Sequence, residues 1–353
     1  MATTGLRRRA LLASLPMAGL GFPRALRAAP PADPFADGVT MLVAGPAGGR
    51  LDDLSDLITR VFGRNLPPGT VIRRQPTGGP DGVTGANRFD ARVAPDGTTL
   101  LVLPGEAPLA WLTGDPRAHF DAAQWIPVLA GVTPGIIASR VRAGGLRPGS
   151  RLRIAAGSPA GPDLPALLAL HLLGVEPVPV FGLADPVAAR AALAAHTVDA
   201  VFLVGSNVPR QAETLAAADI RPLLSIGQPD GHGQIARDPL FPDVPTLPEL
   251  MLRLRGTPPN GPMFGAWRAA AAAAQLDFAL VLPHLTPADI VSVWRQAGGL
   301  AAGTPEMAGL AAEGVRPVIG PAFITGTAAM APSPAALIEL RSWLATRFNW
   351  QPA

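Results

Sequence analysis

The chain has 353 residues, 29 basic against 26 acidic, and 48% hydrophobic content. That length fits about two domains rather than one core, and the apolar share excludes disorder along the whole chain. There is no cysteine, lysine or tyrosine, which excludes disulfides, thiol catalysis, cysteine–zinc and iron–sulfur sites, a P-loop or kinase lysine, and a pyridoxal Schiff base. Glycine (39) and proline (41) run at roughly twice their usual share, so many short elements are expected.

The positive charge is concentrated at the front. Arg7, Arg8, Arg9, Arg24 and Arg27 fall in the first 28 residues with no acid among them; without these five, a net charge of +3 becomes −2. No basic footprint for nucleic acid remains. Residues 1–28 read as an export signal: a charged Arg7–Arg9 region, an apolar stretch from Ala10 to Phe22 too short to span a bilayer, and a cleavage position after Ala28. Arg8-Arg9-Ala10-Leu11-Leu12 fits the twin-arginine pattern.

Val39–Val43 is a short β-branched apolar run ending at Gly45-Pro46, and it predicts a buried strand. Leu51, Leu54, Leu57, Ile58, Val61 and Phe62 recur at three and four, so a helix follows, with Asp52 and Asp53 at its positive end. Thr70–Arg74 and Thr98–Leu103 predict strands, with a glycine-rich loop from Gly78 to Gly85 and a helix over Ala86–Val93 between them. Val128–Arg140 is strand-like and broken at Pro134-Gly135. Arg151–Ala156, Val178–Phe181, Val198–Val204 and Arg221–Ile226 are further strands, and Asp185–Ala195 is a helix. Helices are expected around Ala266–Leu276, Pro287–Ala297, Pro305–Glu313 and Pro334–Phe348. Strand–loop–helix repetition of this kind implies α/β architecture with mostly parallel sheets.

The usual catalytic patterns are missing. Ser158 and Ser206 follow glycines without the nucleophile-elbow spacing, and no dinucleotide fingerprint follows a strand. His119, His171, His196, His232 and His284 are scattered, without metal-ligand spacing. No cofactor is implied. What remains is glycine-rich loops that open helices, where free N–H groups and the helix dipole favour an anion. Two of them, after the strands ending near Val43 and Ala156, are placed to grip a carboxylate from opposite sides of a cleft.

An ordered set of motifs then resembles one family. Pro46-Ala47-Gly48-Gly49-Arg50-Leu51-Asp52 matches its P-x-x-G-G opening. Pro95-Asp96-Gly97-Thr98-Thr99-Leu100-Leu101, Trp125-Ile126-Pro127-Val128, Val198-Asp199-Ala200-Val201-Phe202 and Phe241-Pro242-Asp243-Val244-Pro245-Thr246-Leu247-Pro248-Glu249 follow in the family's order. The chain resembles the periplasmic solute-binding proteins of tripartite tricarboxylate transporters, the Bug receptors. The resemblance implies a two-lobed, periplasmic-binding-protein-like (type II-like) α/β fold with a ligand cleft between the lobes. Lobe 1 would take residues 37–137 plus 248–353, and lobe 2 residues 138–247.

It also implies a periplasmic receptor, not an enzyme, that hands a small organic carboxylate to membrane permease subunits. The expected receptor is a monomer without nucleic-acid binding or stable membrane insertion. Backbone groups of Ala47, Gly48 and Gly49, with Asp52, Gly82 and Thr84, would form the first-lobe contacts. Ser158, Ala160, Gly161, Asp185 and Ser206 would form the second. Asp185 stands equally as a helix N-cap or as a selector of an amino group. The sequence departs from the family at Gly161, where a hydroxyl residue is usual, at Asp81 for a glycine, and at Val180-Phe181 for a Tyr-Lys pair. Phe181 in place of lysine predicts a less anionic or more apolar ligand than citrate. Two other possibilities stay open: a degenerate receptor serving as a sensory or scaffold partner, and an exported hydrolase using Ser158 or Ser206 with a histidine.

Overall fold

The structure is a computed structural model that describes residues 35–230, 234–319 and 331–351. The export-signal reading of residues 1–28 lies outside the described residues.

The chain begins with β1 (Val39–Val43), α1 (Arg50–Gly63), β2 (Ile72–Pro76), α2 (Val83–Arg92), β3 (Thr99–Leu103), α3 (Glu106–Thr113) and β4 (Ile126–Val132). It then crosses into β5 (Gly135–Ser139), β6 (Arg151–Ala155), α4 (Leu164–Leu172), β7 (Glu176–Val180), α5 (Pro186–Ala194), β8 (Ala200–Val204), α6 (Val208–Ala216) and β9 (Arg221–Ser225). A two-stranded ribbon, β10 (Gln228–Pro229) with β11 (Ile235–Ala236), leads to α7 (Leu247–Arg255), α8 (Gly261–Gln275) and β12 (Leu276–Leu282). The remainder is α9 (Ala288–Ala302), α10 (Pro305–Ala312), β13 (Arg316–Val318) and α11 (Pro334–Phe348).

Two larger sheets result. The six-stranded one has the order β13-β4-β12-β3-β1-β2 and the five-stranded one β7-β6-β8-β5-β9. Both are mixed: β1 runs parallel to β2 and β3, and β6 parallel to β7 and β8. The pairings made by β12 in the first sheet and by β5 in the second are antiparallel. The two-sheet α/β class expected from the sequence is observed, with more antiparallel pairing than strand–helix repetition alone implies. The physical reason is the crossover: strands that arrive from the other sheet need not follow the local strand–helix rhythm.

Alternation along the strands explains why both faces are covered. Met41 and Val43, with Leu100, Val102, Leu280 and Leu282, pack beneath α1 and α9 around Ile58, Phe62 and Trp294. Leu42, Leu101, Leu103, Ala279 and Val281 point to the opposite face, against Val83 and Phe89 of α2. Successive strand residues face opposite ways, so a strand buried on both sides reads as an unbroken apolar run. In the second sheet, Ile136, Ala138, Val201 and Leu203 meet α5 and α6 through Leu193, Val208 and Leu215. The other face joins Ile137, Ile154 and Phe202 to α4, α7, α8 and α11. The segment after residue 247 therefore supplies β12 and β13 to the first sheet but packs α7, α8 and α11 with the second.

The motifs that carry the family resemblance do structural work. Asp96 Oδ1 accepts from Thr98 N and Oγ1, both at 2.8 Å, while the Gly97 carbonyl accepts from Trp294 Nε1 at 2.9 Å. A Cβ on Gly97 (φ +77°) would lie 2.2 Å from Ile290 Cγ2, so the turn requires glycine. At α7, the Glu249 carboxylate accepts from Thr246 N (2.7 Å) and Oγ1 (3.1 Å), which closes the helix start.

The two chain crossings are stapled at one point. Thr133 N and Oγ1 both bond the Gln275 carbonyl, at 2.8 and 3.2 Å, and Gln275 Nε2 donates to the Gly227 carbonyl at 3.1 Å. Residue 133 lies on the outward crossing and Gln275 on the return, where α8 meets β12, so the buried Gln275 ties the two crossings together and anchors them to Gly227 after β9. No helix among the described residues is long and apolar enough to cross a membrane.

Candidate functional site

β1 and β3 are parallel neighbours, so the loops after them open on the same edge of the first sheet. Each leads into a helix start, α1 at Arg50 and α3 at Glu106. A cavity of about 280 Å³ lies at this edge. Its wall includes Gly45, Pro46, Gly49 and Arg50 after β1, Pro104 and Glu106 after β3, and Leu276 and Asp277 at the start of β12. Thr133 at the crossing and Val204-Gly205 at the end of β8 also line it, so both sheets contribute.

Close backbone approach shapes the wall. A Cβ on Gly105 would lie 1.9 Å from the Ala273 carbonyl oxygen, and Gly105 N donates to the Leu276 carbonyl at 3.3 Å. The β3–α3 turn is thereby pressed against the α8–β12 junction, which fixes Glu106 next to Asp277. Asp277 takes the Arg50 guanidinium in a forked pair, with Nη2 at 2.7 Å from both carboxylate oxygens and Nε at 3.2 Å from Oδ1. The Arg50 side chain is 64% exposed and that of Asp277 only 11%. Among the described residues no cationic side chain pairs with Glu106. The Glu106 side chain is solvent-exposed, but the density of protein around its carboxylate raises its pKa. The hydrogen bond from its own N–H opposes this, while Asp277 and Asp81 push the same way as burial.

The first-lobe residues expected from the sequence divide. Gly49 lines the cavity. The Gly48 N–H donates to Asp52 Oδ2 at 2.9 Å, and the Gly49 N–H to the Pro46 carbonyl at 3.2 Å. Asp52 also accepts from Arg74 Nη1 at 2.7 Å, so its carboxylate shapes the loop rather than facing the cavity. The Ala47 and Leu51 N–H groups have no acceptor among the described residues. Gly82, at φ +72°, opens α2 behind Pro104: a Cβ there would lie 2.6 Å from Pro104 Cδ. Thr84, in the first turn of α2, packs against Gly78.

The second-lobe residues lie elsewhere. Ser158, Ala160 and Gly161 are not brought to the cavity wall. Their loop folds on itself: Gly161 N donates to the Ser158 carbonyl at 3.3 Å, and Gly157 N to Asp163 Oδ2 at 2.8 Å. Burial pushes the Asp163 carboxyl up to about 6, against hydrogen bonds from Gly157 and its own N–H. Asp185 caps α5, accepting from Val187 N at 3.2 Å and Ala188 N at 3.1 Å. Ser206 lines a second cavity of about 510 Å³ with Asn207, Arg210 and the Ala311–Gly314 turn. Among the described residues no histidine hydrogen-bonds Ser158 or Ser206, and no group of acids and histidines is arranged to hold a metal.

Sequence reasoning passed over Glu106 and Asp277. Both carried a signal: Glu106 follows Pro104-Gly105 directly after a strong strand, and Asp277 is the lone charge between Ala269 and Leu282.

No family model matches the chain, and no curated protein sequence matches it. Solved structures do. A TctC solute-binding protein from Polaromonas, without ligand, aligns at a TM-score of 0.62 and 18% identity, covering 88% of this chain and 98% of that one. MatC from Rhodopseudomonas palustris, with bound malate, aligns at 0.49 and 21% identity, covering 87% and 98%. An R. palustris protein with adipate aligns at 0.48 and 18%, covering 88% and 96%. The Polaromonas likeness spans both sheets and the crossings between them. In its fold, the chain is a two-lobed periplasmic-binding-protein-like α/β protein of the type found in that TctC solute-binding protein.

Proposed function

We propose that this chain is a tripartite tricarboxylate transporter-type receptor that works outside the cytoplasm. It captures a small organic carboxylate in the cavity between its sheets and delivers it to a membrane permease. The observation that most supports this is a cavity walled by both sheets at the start of two helices, in the fold of a solute-binding protein. The ordered motifs from Pro46 to Glu249 and the export-signal pattern of residues 1–28 support it from the sequence. On this proposal the protein is monomeric, lacks catalytic activity and reaches the periplasm by the twin-arginine or the general secretory route.

The proposed ligand contacts on the first lobe are the N–H groups of Ala47 and Leu51, with Arg50 beside them. Those on the second begin with Val204-Gly205. β6 and β8 are parallel neighbours, so the loop carrying Ser158 and Gly161 opens on the same edge as Gly205. Closure of the first sheet against the second, each carrying the helices packed on it, would bring that loop toward the ligand. The crossings tied by Gln275 would serve as the hinge. Titration calorimetry against a panel of small organic acids tests the proposal. Saturable binding of at least one acid is expected, and a panel with no binder would overturn it.

One observation favours a second reading. The Gly48 and Gly49 N–H groups are satisfied within their own loop, which leaves fewer donors for an anion. A receptor so altered would act as a sensory or scaffold partner without transport, binding no small acid while still associating with a membrane protein.

A further inference from the structure

The interlobe cavity holds more acid than a simple carboxylate receptor requires. Of the charged residues lining it, Arg50 is the cation and Glu106 and Asp277 are the anions. Asp277 already engages Arg50 through both carboxylate oxygens, so the positive charge is offset before any ligand arrives. The surplus negative charge belongs to Glu106.

Glu106 is held at the wall by construction. The turn before it is held against the α8–β12 junction by the Gly105 N–H, which donates to the Leu276 carbonyl at 3.3 Å, and only glycine fits beside the Ala273 carbonyl there. The next residue, Ala107, is fully buried, as are Leu103 and Leu112 in the strand and helix on either side. Among the described residues no cation reaches its carboxylate. The charged neighbours that act on it, Asp277 and Asp81, are both negative, and Asp81 is itself engaged by Arg117 at 2.7 Å. A ligand with a second carboxylate at this end would meet an unpaired like charge, with Asp277 adding to the repulsion. A ligand with a protonated amine would complete a charge pair that the protein leaves open.

We infer that Glu106 sets the specificity of this cavity for a small carboxylate that also carries a protonated amine, with the carboxylate at the start of α1 and the ammonium facing Glu106. This rests on the receptor reading above and narrows its ligand class. The selecting acid is thus Glu106, not Asp185, whose oxygens are both spent on capping α5.

The test is calorimetric titration of the intact protein with matched pairs of similar length: 3-aminopropanoate with malonate, 4-aminobutanoate with succinate, 5-aminopentanoate with glutarate. The amino acid of at least one pair is expected to bind about tenfold or more tightly than its dicarboxylate, the scale of one charge-assisted hydrogen bond. Glu106→Gln, which keeps the side-chain shape, is expected to erase that preference. Dicarboxylates binding equally or more tightly in every pair would overturn the inference and leave the receptor reading intact. Preference retained in Glu106→Gln would overturn the role of Glu106. No binding in either series would remove the receptor reading and the inference together.

Discussion

Asp163 offers the sharpest test of how the second-lobe loop is held. Its carboxylate accepts from Gly157 N at 2.8 Å, and burial raises its pKa from an ordinary 3.8 to about 6. Each pKa unit is worth about 1.4 kcal/mol, so holding the ionised form costs the folded state about 3 kcal/mol. The sign follows from linkage: the folded state binds the proton more tightly than the unfolded chain. The stabilisation is therefore complete below pH about 3.8 and is lost as the pH rises through about 6. Asp163→Asn cannot ionise, and its amide oxygen can still accept from Gly157. The variant should match the native protein within about 1 kcal/mol near pH 4, and exceed it by up to about 3 kcal/mol near pH 8. Urea unfolding at the two pH values gives both differences. A stability gap between variant and native protein that does not change with pH would refute the claim that a buried, reluctantly ionised carboxylate holds this loop.

Three further outcomes follow from close contacts. Gly105→Ala should lower stability by about 3 kcal/mol, because its backbone is unstrained at φ −66° and the cost is the collision of the new Cβ with the Ala273 and Leu276 carbonyls; an unchanged thermal midpoint would show that the junction can yield. Gln275→Leu removes the donor to the Gly227 carbonyl and should cost about 1–3 kcal/mol. Amide exchange at Thr133 and Gly227 should quicken more than at the centre of either sheet, and uniform exchange would argue against a staple at the crossings. Asp185→Ala should cost about 1 kcal/mol through the lost cap without changing carboxylate affinity, and an affinity loss at unchanged stability would return Asp185 to the binding site.

The sequence alone determined the class, most of the elements and their order. β1 at Val39–Val43 and α11 at Pro334–Phe348 have the bounds that periodicity and proline placement predict. The break at Pro134-Gly135 divides β4 from β5 as expected. These features are local: alternation, three-and-four spacing and backbone restriction act within a few residues. β12 was not legible, because Leu276–Leu282, apolar apart from Asp277, continues from a helix without a turn. Only its placement between β3 and β4 makes it the centre of the first sheet and gives that sheet its mixed sense. The candidate site was legible only in part for the same reason. The glycine loop after β1 announces a helix start, but whether its N–H groups stay free depends on Asp52 folding back on Gly48. Asp277 and Glu106 are 171 positions apart in the sequence and become neighbours only because Gly105 lets two turns touch. Charge at a site is a sum over whatever the tertiary fold collects there, and no local pattern encodes that sum.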